Sequence, residues 1–215
     1  DRVFCVPGES YLAVLDALAD VRDRIQVIAC RHEAGAANMA EAYGKLTGKP
    51  GICMVTRGPG ASNALAGVHI AQQDSAPMIL FVGQIERGMR EREAFQEMDY
   101  RAVFGTQCKW ATEIDQVERI PELISRAFHI ATSGRPGPVV IALPEDMLVE
   151  AAQVADAPRY EVIDSAPTAG QLADLEQLLA QASNPVAILG GTRWDARAVQ
   201  QFADFAQRHA LPTAV

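Results

Sequence analysis

The sequence predicts a doubly wound α/β fold: a mainly parallel sheet with helices on both faces, followed by the beginning of a second α/β domain. Three observations point there. Over the first 150 residues, short apolar runs rich in β-branched residues alternate with longer Ala-rich stretches, the rhythm of successive βαβ units. Gly and Pro collect just after the apolar runs, where a parallel sheet turns from strand to helix. The chain has 215 residues, 49% of them hydrophobic and 21% charged, which suits one large or two small folded domains and excludes a disordered tail.

Taken in order, the first strand is read at 2–6, ending at Pro7-Gly8. A helix at 10–20 follows, with Ser10 in the capping position. A strand at 26–30 leads to a helix at 33–47, closed by Gly48. Half of the residues in 33–48 are Ala or Gly, so this helix lets another backbone or a flat ligand come close. Next come a strand at 51–56, a helix at 61–73 opened by Ser62 or Asn63, and a strand at 78–82. Residues 86–101 hold nine charges around Phe95 and Gln96 and read as a solvated surface loop, or as a lid touching substrate. A helix at 117–132 stops at Ser133-Gly134 and turns into a last strand at 138–143.

From 151 to 167 the periodicity fades around Pro158 and Pro167, marking a linker between a domain at 1–150 and a second unit at 168–215. That unit opens with the helical stripe of Leu172, Leu175, Leu178 and Leu179. A strand at 186–189, the turn Gly190-Gly191-Thr192, a helix at 195–209 and the start of a further strand at 211–215 complete it. A sheet cut there has an open edge, so the chain is expected to be a piece of something longer.

Charge and composition exclude several partners. A net charge of -8 and a pI near 5.0 argue against nucleic acid. No apolar run approaches the roughly 18 residues of a membrane span. Cys5, Cys30, Cys53 and Cys108 lack any CxxC or other metal-ligand spacing and read as buried thiols of a cytoplasmic protein. No metal site is expected on these residues.

Ligands of open parallel sheets sit outside the carboxyl ends of the strands. Four loops converge there: Pro7-Gly8-Glu9, Arg31-His32-Glu33, residues 57–63, and Gly83-Gln84. Turn chemistry alone explains any one of them. Glu33 opens a helix, where a carboxylate is a routine dipole partner. His32-Glu33 is no zincin motif, because Ala36 holds the place of the second His. Neither GxxxxGK[ST] nor GxGxxG occurs. Residues 60–64 imitate a nucleophile elbow at Ser62, but Ala64 replaces its last Gly, and His69 and His129 fall in predicted helices rather than in post-strand loops.

Several segments together resemble the N-terminal, pyrimidine-binding domain of thiamine diphosphate-dependent enzymes of the acetolactate (acetohydroxyacid) synthase type. They are Val3-Phe4-Cys5-Val6-Pro7-Gly8, residues 31–43, Thr56-Arg57-Gly58-Pro59-Gly60-Ala61-Ser62-Asn63, Asp74-Ser75-Ala76-Pro77-Met78, Gly83-Gln84, Ala94-Phe95-Gln96-Glu97, and residues 134–144. The resemblance implies that Glu33 hydrogen-bonds N1' of the aminopyrimidine and favours the tautomer that draws the proton from the thiazolium C2. It implies that Val6, Pro7, Gly8, Thr56, Pro59, Gly60, Asn63 and Gln84 frame the cofactor, and that Phe95 and Gln96 face substrate. The activity implied is decarboxylation of a small 2-oxo acid, with or without transfer of the remaining unit. A benzoylformate- or oxalyl-CoA-decarboxylase type is the alternative; a non-catalytic assembly subunit and a hydrolase using Ser62 are remote ones. The diphosphate and its Mg2+ belong, in the family, to a C-terminal Gly-Asp-Gly…Asn domain of the other subunit of a homodimer or tetramer, and that motif does not occur here. The chain alone is therefore expected to be inactive. FAD in the central domain is compatible with the family but supported by no residue. Two departures stand out: Glu9 where the synthases continue with a second Gly, and Ala34 where they often have Gln.

Overall fold

The computed structural model describes residues 1–163, 165–191 and 194–215. Two compact units make up the chain, Asp1–Val162 and Ile163–Val215. The first contains six strands: β1 (Arg2–Cys5), β2 (Gln26–Ala29), β3 (Gly51–Val55), β4 (Met78–Gln84), β5 (Trp110–Glu113) and β6 (Pro138–Pro144). They pair in the order β2-β1-β3-β4-β6-β5, every pair parallel.

Alternation along the strands explains the two-layered core. Cys53 and Val55 of β3 point to one face, where they meet Ala36, Ala37 and Ala40 of α2 (Glu33–Thr47), Ala64, Val68 and Ala71 of α3 (Pro59–Asp74), and Phe104 of α4 (Tyr100–Phe104). Met54 points to the other, with Tyr11, Leu123, Ala127 and Ala131, under α1 (Leu12–Asp20) and α5 (Ile120–Thr132). Central strands covered on both sides must be almost wholly apolar, and β6 is buried throughout. The doubly wound reading holds.

The small residues of α2 have a physical use. A Cβ added at Gly67 of α3 would lie 2.5 Å from Ala37 Cβ, and one at Gly44 would lie 2.2 Å from the Pro77 carbonyl oxygen. Helix α2 is capped by His32, whose Nδ1 accepts from the Ala34 N–H at 3.1 Å, and it ends at Gly48 with φ 67°.

Several local expectations are corrected. Ser10 does not cap a helix: it lies inside a single 3-10 turn, Glu9–Tyr11, and its hydroxyl is 2.9 Å from that of Thr56. Helix α3 starts at Pro59, so Ser62 and Asn63 lie one turn inside it rather than at its opening. Gly83 and Gln84 are the last residues of β4, not a loop. The charged stretch 86–101 is not all loop, because α4 begins at Tyr100 behind an Asp99 cap, and edge strand β5 follows unforeseen. Of the four cysteines, all free, Cys30 is only half-buried.

In the second unit, α6 (Ala169–Gln181) opens with a capping box between Thr168 and Gln171. The two-residue strands β7 (Ala187–Ile188) and β8 (Thr213–Ala214) pair in parallel around α7 (Ala196–Arg208), which Asp195 caps. Thr192 of the expected turn lies outside the described residues. Among the described residues, no helix is long and apolar enough to cross a membrane.

Candidate active-site rim

Because all six strands run the same way, the loops that follow them share one rim. The turn after β3 is its centre. Gly58 adopts φ 51° and ψ -104°, a conformation that side chains rarely tolerate, and a Cβ there would stand 2.9 Å from Gln96. Its N–H donates to the Tyr100 hydroxyl at 2.9 Å, and that hydroxyl donates to the Gly83 carbonyl at 3.2 Å. Pro59 then occupies the first helical position, where its missing N–H is not needed.

One turn into α3, Asn63 Nδ2 donates to Glu33 Oε2 at 3.0 Å. Glu33 itself is half-buried at the first residue of α2. Its other oxygen, Oε1, makes no hydrogen bond among the described residues and lies 3.7 Å from where a Cβ would stand on Gly60. A Cβ on Gly60 would also come within 2.9 Å of Thr56 Cγ2, so Glu33, Thr56, Gly60 and Asn63 form one small cluster with a bare backbone wall.

The first loop docks on this cluster through Thr56. A Cβ on Gly8 would lie 2.6 Å from Thr56 Cβ, and Ser10 hydrogen-bonds Thr56 beside it. Val6 is tied to β3, its N–H donating to the Met54 carbonyl at 3.2 Å, while its own carbonyl accepts from the Tyr11 hydroxyl. Pro7 and Pro59 are exposed. Gln96 packs on Gly58, whereas Phe95 next to it is 73% exposed. Gln84 is turned inward: Nε2 donates to the Met98 carbonyl at 2.9 Å and Oε1 accepts from the Ile85 N–H at 3.0 Å. Its amide therefore holds the 94–98 segment down.

Ser62 lacks what a nucleophile needs. Its hydroxyl donates to the Gly58 carbonyl one turn back at 3.1 Å, His69 Nδ1 is 2.9 Å from Gln107 Oε1, and both His69 and His129 are exposed on helices.

Sequence reasoning missed Arg57, Glu145 and Tyr100. Arg57 is 7% exposed, and its guanidinium donates to Glu9 Oε1 and to Glu145 Oε2, each at 2.8 Å. The signal was an arginine at the mouth of an apolar strand, where an unpaired charge is costly and a partner must exist. Burial pushes the Tyr100 hydroxyl up to about 12, against the opposing pull of the Gly58 N–H and Arg57, and burial raises Tyr11 as well. Both phenols thus stay neutral hydrogen-bonding struts.

A half-buried carboxylate with one oxygen fixed and one open, beside a wall of bare backbone, suits a flat heterocycle with a ring nitrogen to share a proton. Such a group fits these residues. Comparison with known proteins points the same way. Residues 1–103 match the family described as thiamine pyrophosphate enzyme, N-terminal TPP binding domain. The chain is 34% identical to an acetolactate synthase of Mycobacterium bovis over 216 residues, covering 99% of this chain and 35% of that protein. It is 33% identical to the acetolactate synthase isozyme 2 large subunit of Escherichia coli, covering 99% of this chain and 38% of that one. With the mitochondrial acetolactate synthase catalytic subunit of Saccharomyces cerevisiae the identity is 42% over 147 residues, 68% of this chain and 21% of the relative. The chain thus spans about a third of the length of the first two relatives.

Proposed function

Through residues 1–103 the chain belongs to the N-terminal TPP-binding domain family of the thiamine pyrophosphate enzymes, and from that premise we propose that it forms the pyrimidine side of the active site of an acetolactate synthase-like enzyme. Its substrate is a small 2-oxo acid. The observation that carries this reading is the Glu33 carboxylate, one oxygen held by Asn63 and the other open over Gly60.

Thiamine diphosphate, when bound, supplies an aminopyrimidine that works as a base and a thiazolium that stores the electrons released by a departing carboxylate. With the cofactor bound, Glu33 would hydrogen-bond pyrimidine N1' and share a proton with it. Asn63 keeps the carboxylate in one rotamer, so that no reorientation is needed at the moment of transfer. Thr56, Gly8 and Gly60 close the wall behind it, with Val6, Pro7 and Pro59 at its edge. Gln84 acts through the 94–98 segment, which carries Phe95 and Gln96 toward substrate.

Mg2+ and the diphosphate are held by a part of the enzyme outside these residues, contributed by a second subunit of a homodimer or larger assembly. FAD binding is assigned to no residue here. Four free cysteines are in keeping with a reducing, cytoplasmic setting. The 215-residue chain by itself neither turns over nor binds the cofactor tightly; micromolar binding of thiamine diphosphate with Mg2+ in calorimetry would refute that statement.

Glu33→Gln in the holoenzyme tests the reading directly. It is expected to abolish C2-proton exchange of bound thiamine diphosphate, followed by NMR, and turnover with it, whereas Ser62→Ala is expected to retain both. Intact exchange in Glu33→Gln sinks the mechanism; loss of turnover in Ser62→Ala alone would revive the hydrolase. Product analysis with a 2-oxo acid separates a carboligase, which yields a 2-hydroxy-3-oxo acid, from a simple decarboxylase, which yields an aldehyde.

A further inference from the structure

We propose that Arg57 is a positioning residue of this rim, a buried clasp that sets the post-β1 loop and the end of β6 against the turn carrying Gly58 and Gly60; the proposal rests on the reading of the rim as the cofactor's pyrimidine site. Three segments far apart in sequence meet on one guanidinium. Arg57 follows β3, Glu9 follows its neighbour β1, and Glu145 follows β6, with β4 running between β3 and β6. The Arg57 side chain is only 9% exposed, while Glu9 is 69% and Glu145 34% exposed. The two carboxylates thus come from the surface to a cation that cannot leave.

Neighbouring bonds make the clasp a lock on the site rather than a surface pair. Glu145 N–H donates to the Gln84 carbonyl at 3.1 Å, tying β6 to the end of β4. Ser10 and Thr56, the residues next to Glu9 and Arg57, hydrogen-bond each other at 2.9 Å. The first loop is therefore cross-linked twice in succession to the turn that faces Glu33. A planar fork reaches two carboxylates lying in different directions, which a single ammonium on a flexible stem does poorly.

Amide hydrogen exchange of the holoenzyme reads the clasp without relying on turnover. In Arg57→Met, protection of residues 6–11 and of 144–147 is expected to fall about tenfold, while β3 and β4 keep theirs within about twofold. Glu9→Gln, which alters only an exposed partner, is expected to loosen 6–11 alone, and Glu145→Gln to loosen 144–147 alone. Arg57→Lys is expected to recover part of the protection. Thiamine diphosphate is expected to bind Arg57→Met about tenfold more weakly, with a smaller change in kcat at saturating cofactor. Uniform loss across β3 and β4 would make Arg57 a support of the fold only, and unchanged protection in both loops would remove the clasp; either overturns the proposal. If the unaltered enzyme binds no thiamine diphosphate, the functional reading falls, and exchange still decides whether Arg57 clasps the loops.

Discussion

Asn63 shows how a single residue of the rim can matter to chemistry and little to stability. It is exposed on α3, and its one described bond is the 3.0 Å donation to Glu33. A hydrogen bond to a charged group is worth roughly 1.5–3 kcal/mol where water is excluded, as in a closed site around bound ligand, but only about 0.2–0.5 kcal/mol to folding at an exposed contact such as this one. Asn63→Ala is therefore expected to lower turnover about tenfold or more while thermal unfolding stays within about 2 °C of the parent. Glu41 is the opposite case. It is 8% exposed on α2, its Oε1 has no hydrogen-bond partner among the described residues, and burial raises its carboxyl above the ordinary range, with Lys45 pulling it back and Asp74 adding to the rise. A carboxyl raised in the folded state binds its proton better folded than unfolded, so it favours folding at low pH and opposes it as pH rises through the carboxylate range. Glu41→Met is expected to stabilise the protein by about 1 kcal/mol at pH 7 and by less at pH 4, which denaturant titration at the two pH values will show. The sequence announced Glu33 through its place after a strand. It could not announce Asn63 as Glu33's partner, because that contact depends on where α3 begins, and Pro59 rather than Ser62 sets the start.

Helices α2 and α3 carry the two ends of that contact, so their spacing governs it. Gly67 faces Ala37 so closely that a methyl group would stand 2.5 Å from Ala37 Cβ and 2.8 Å from its carbonyl carbon. Ala is ordinarily the better helix former by roughly 1 kcal/mol, yet overpacking against backbone costs about 1–3 kcal/mol, and the second effect wins. Gly67→Ala is expected to destabilise the protein in urea titration and to weaken turnover by moving Asn63 away from Glu33; a more stable variant would show that the helices part freely. At this scale the first three βα units were legible, since apolar runs closed by Gly and Pro leave little choice of element. Strand β5 was not, because Trp110-Ala111-Thr112-Glu113 is a short, half-polar edge with a single neighbour, β6. Helix α4 was hidden by the charges before it, although Asp99 as cap and Tyr100 with Phe104 four residues apart were its signals.

Across the whole molecule, the fold class followed from rhythm, but the extent of the first unit depends on contacts that no rhythm encodes. Fading periodicity puts its end at 150, whereas the compact unit runs to Val162. Two contacts hold that extension. The Tyr160 ring stacks on Phe128 of α5 with centroids 5.1 Å apart, and Ser125 donates to the Pro158 carbonyl at 2.8 Å. A proline-rich, polar segment reads as a linker from composition, and only the aromatic face presented by α5 makes part of it structure. An aromatic pair contributes about 0.5–1.5 kcal/mol beyond the apolar area it buries, and about 1 kcal/mol moves the midpoint of a domain this size by roughly 2–4 °C. A fragment of residues 1–162 is therefore expected to melt at least about 3 °C above one of residues 1–150, and Tyr160→Ala in the longer fragment is expected to remove most of the difference. Equal midpoints by calorimetry would show that 151–162 is a tether and that Phe128 is covered well enough without it.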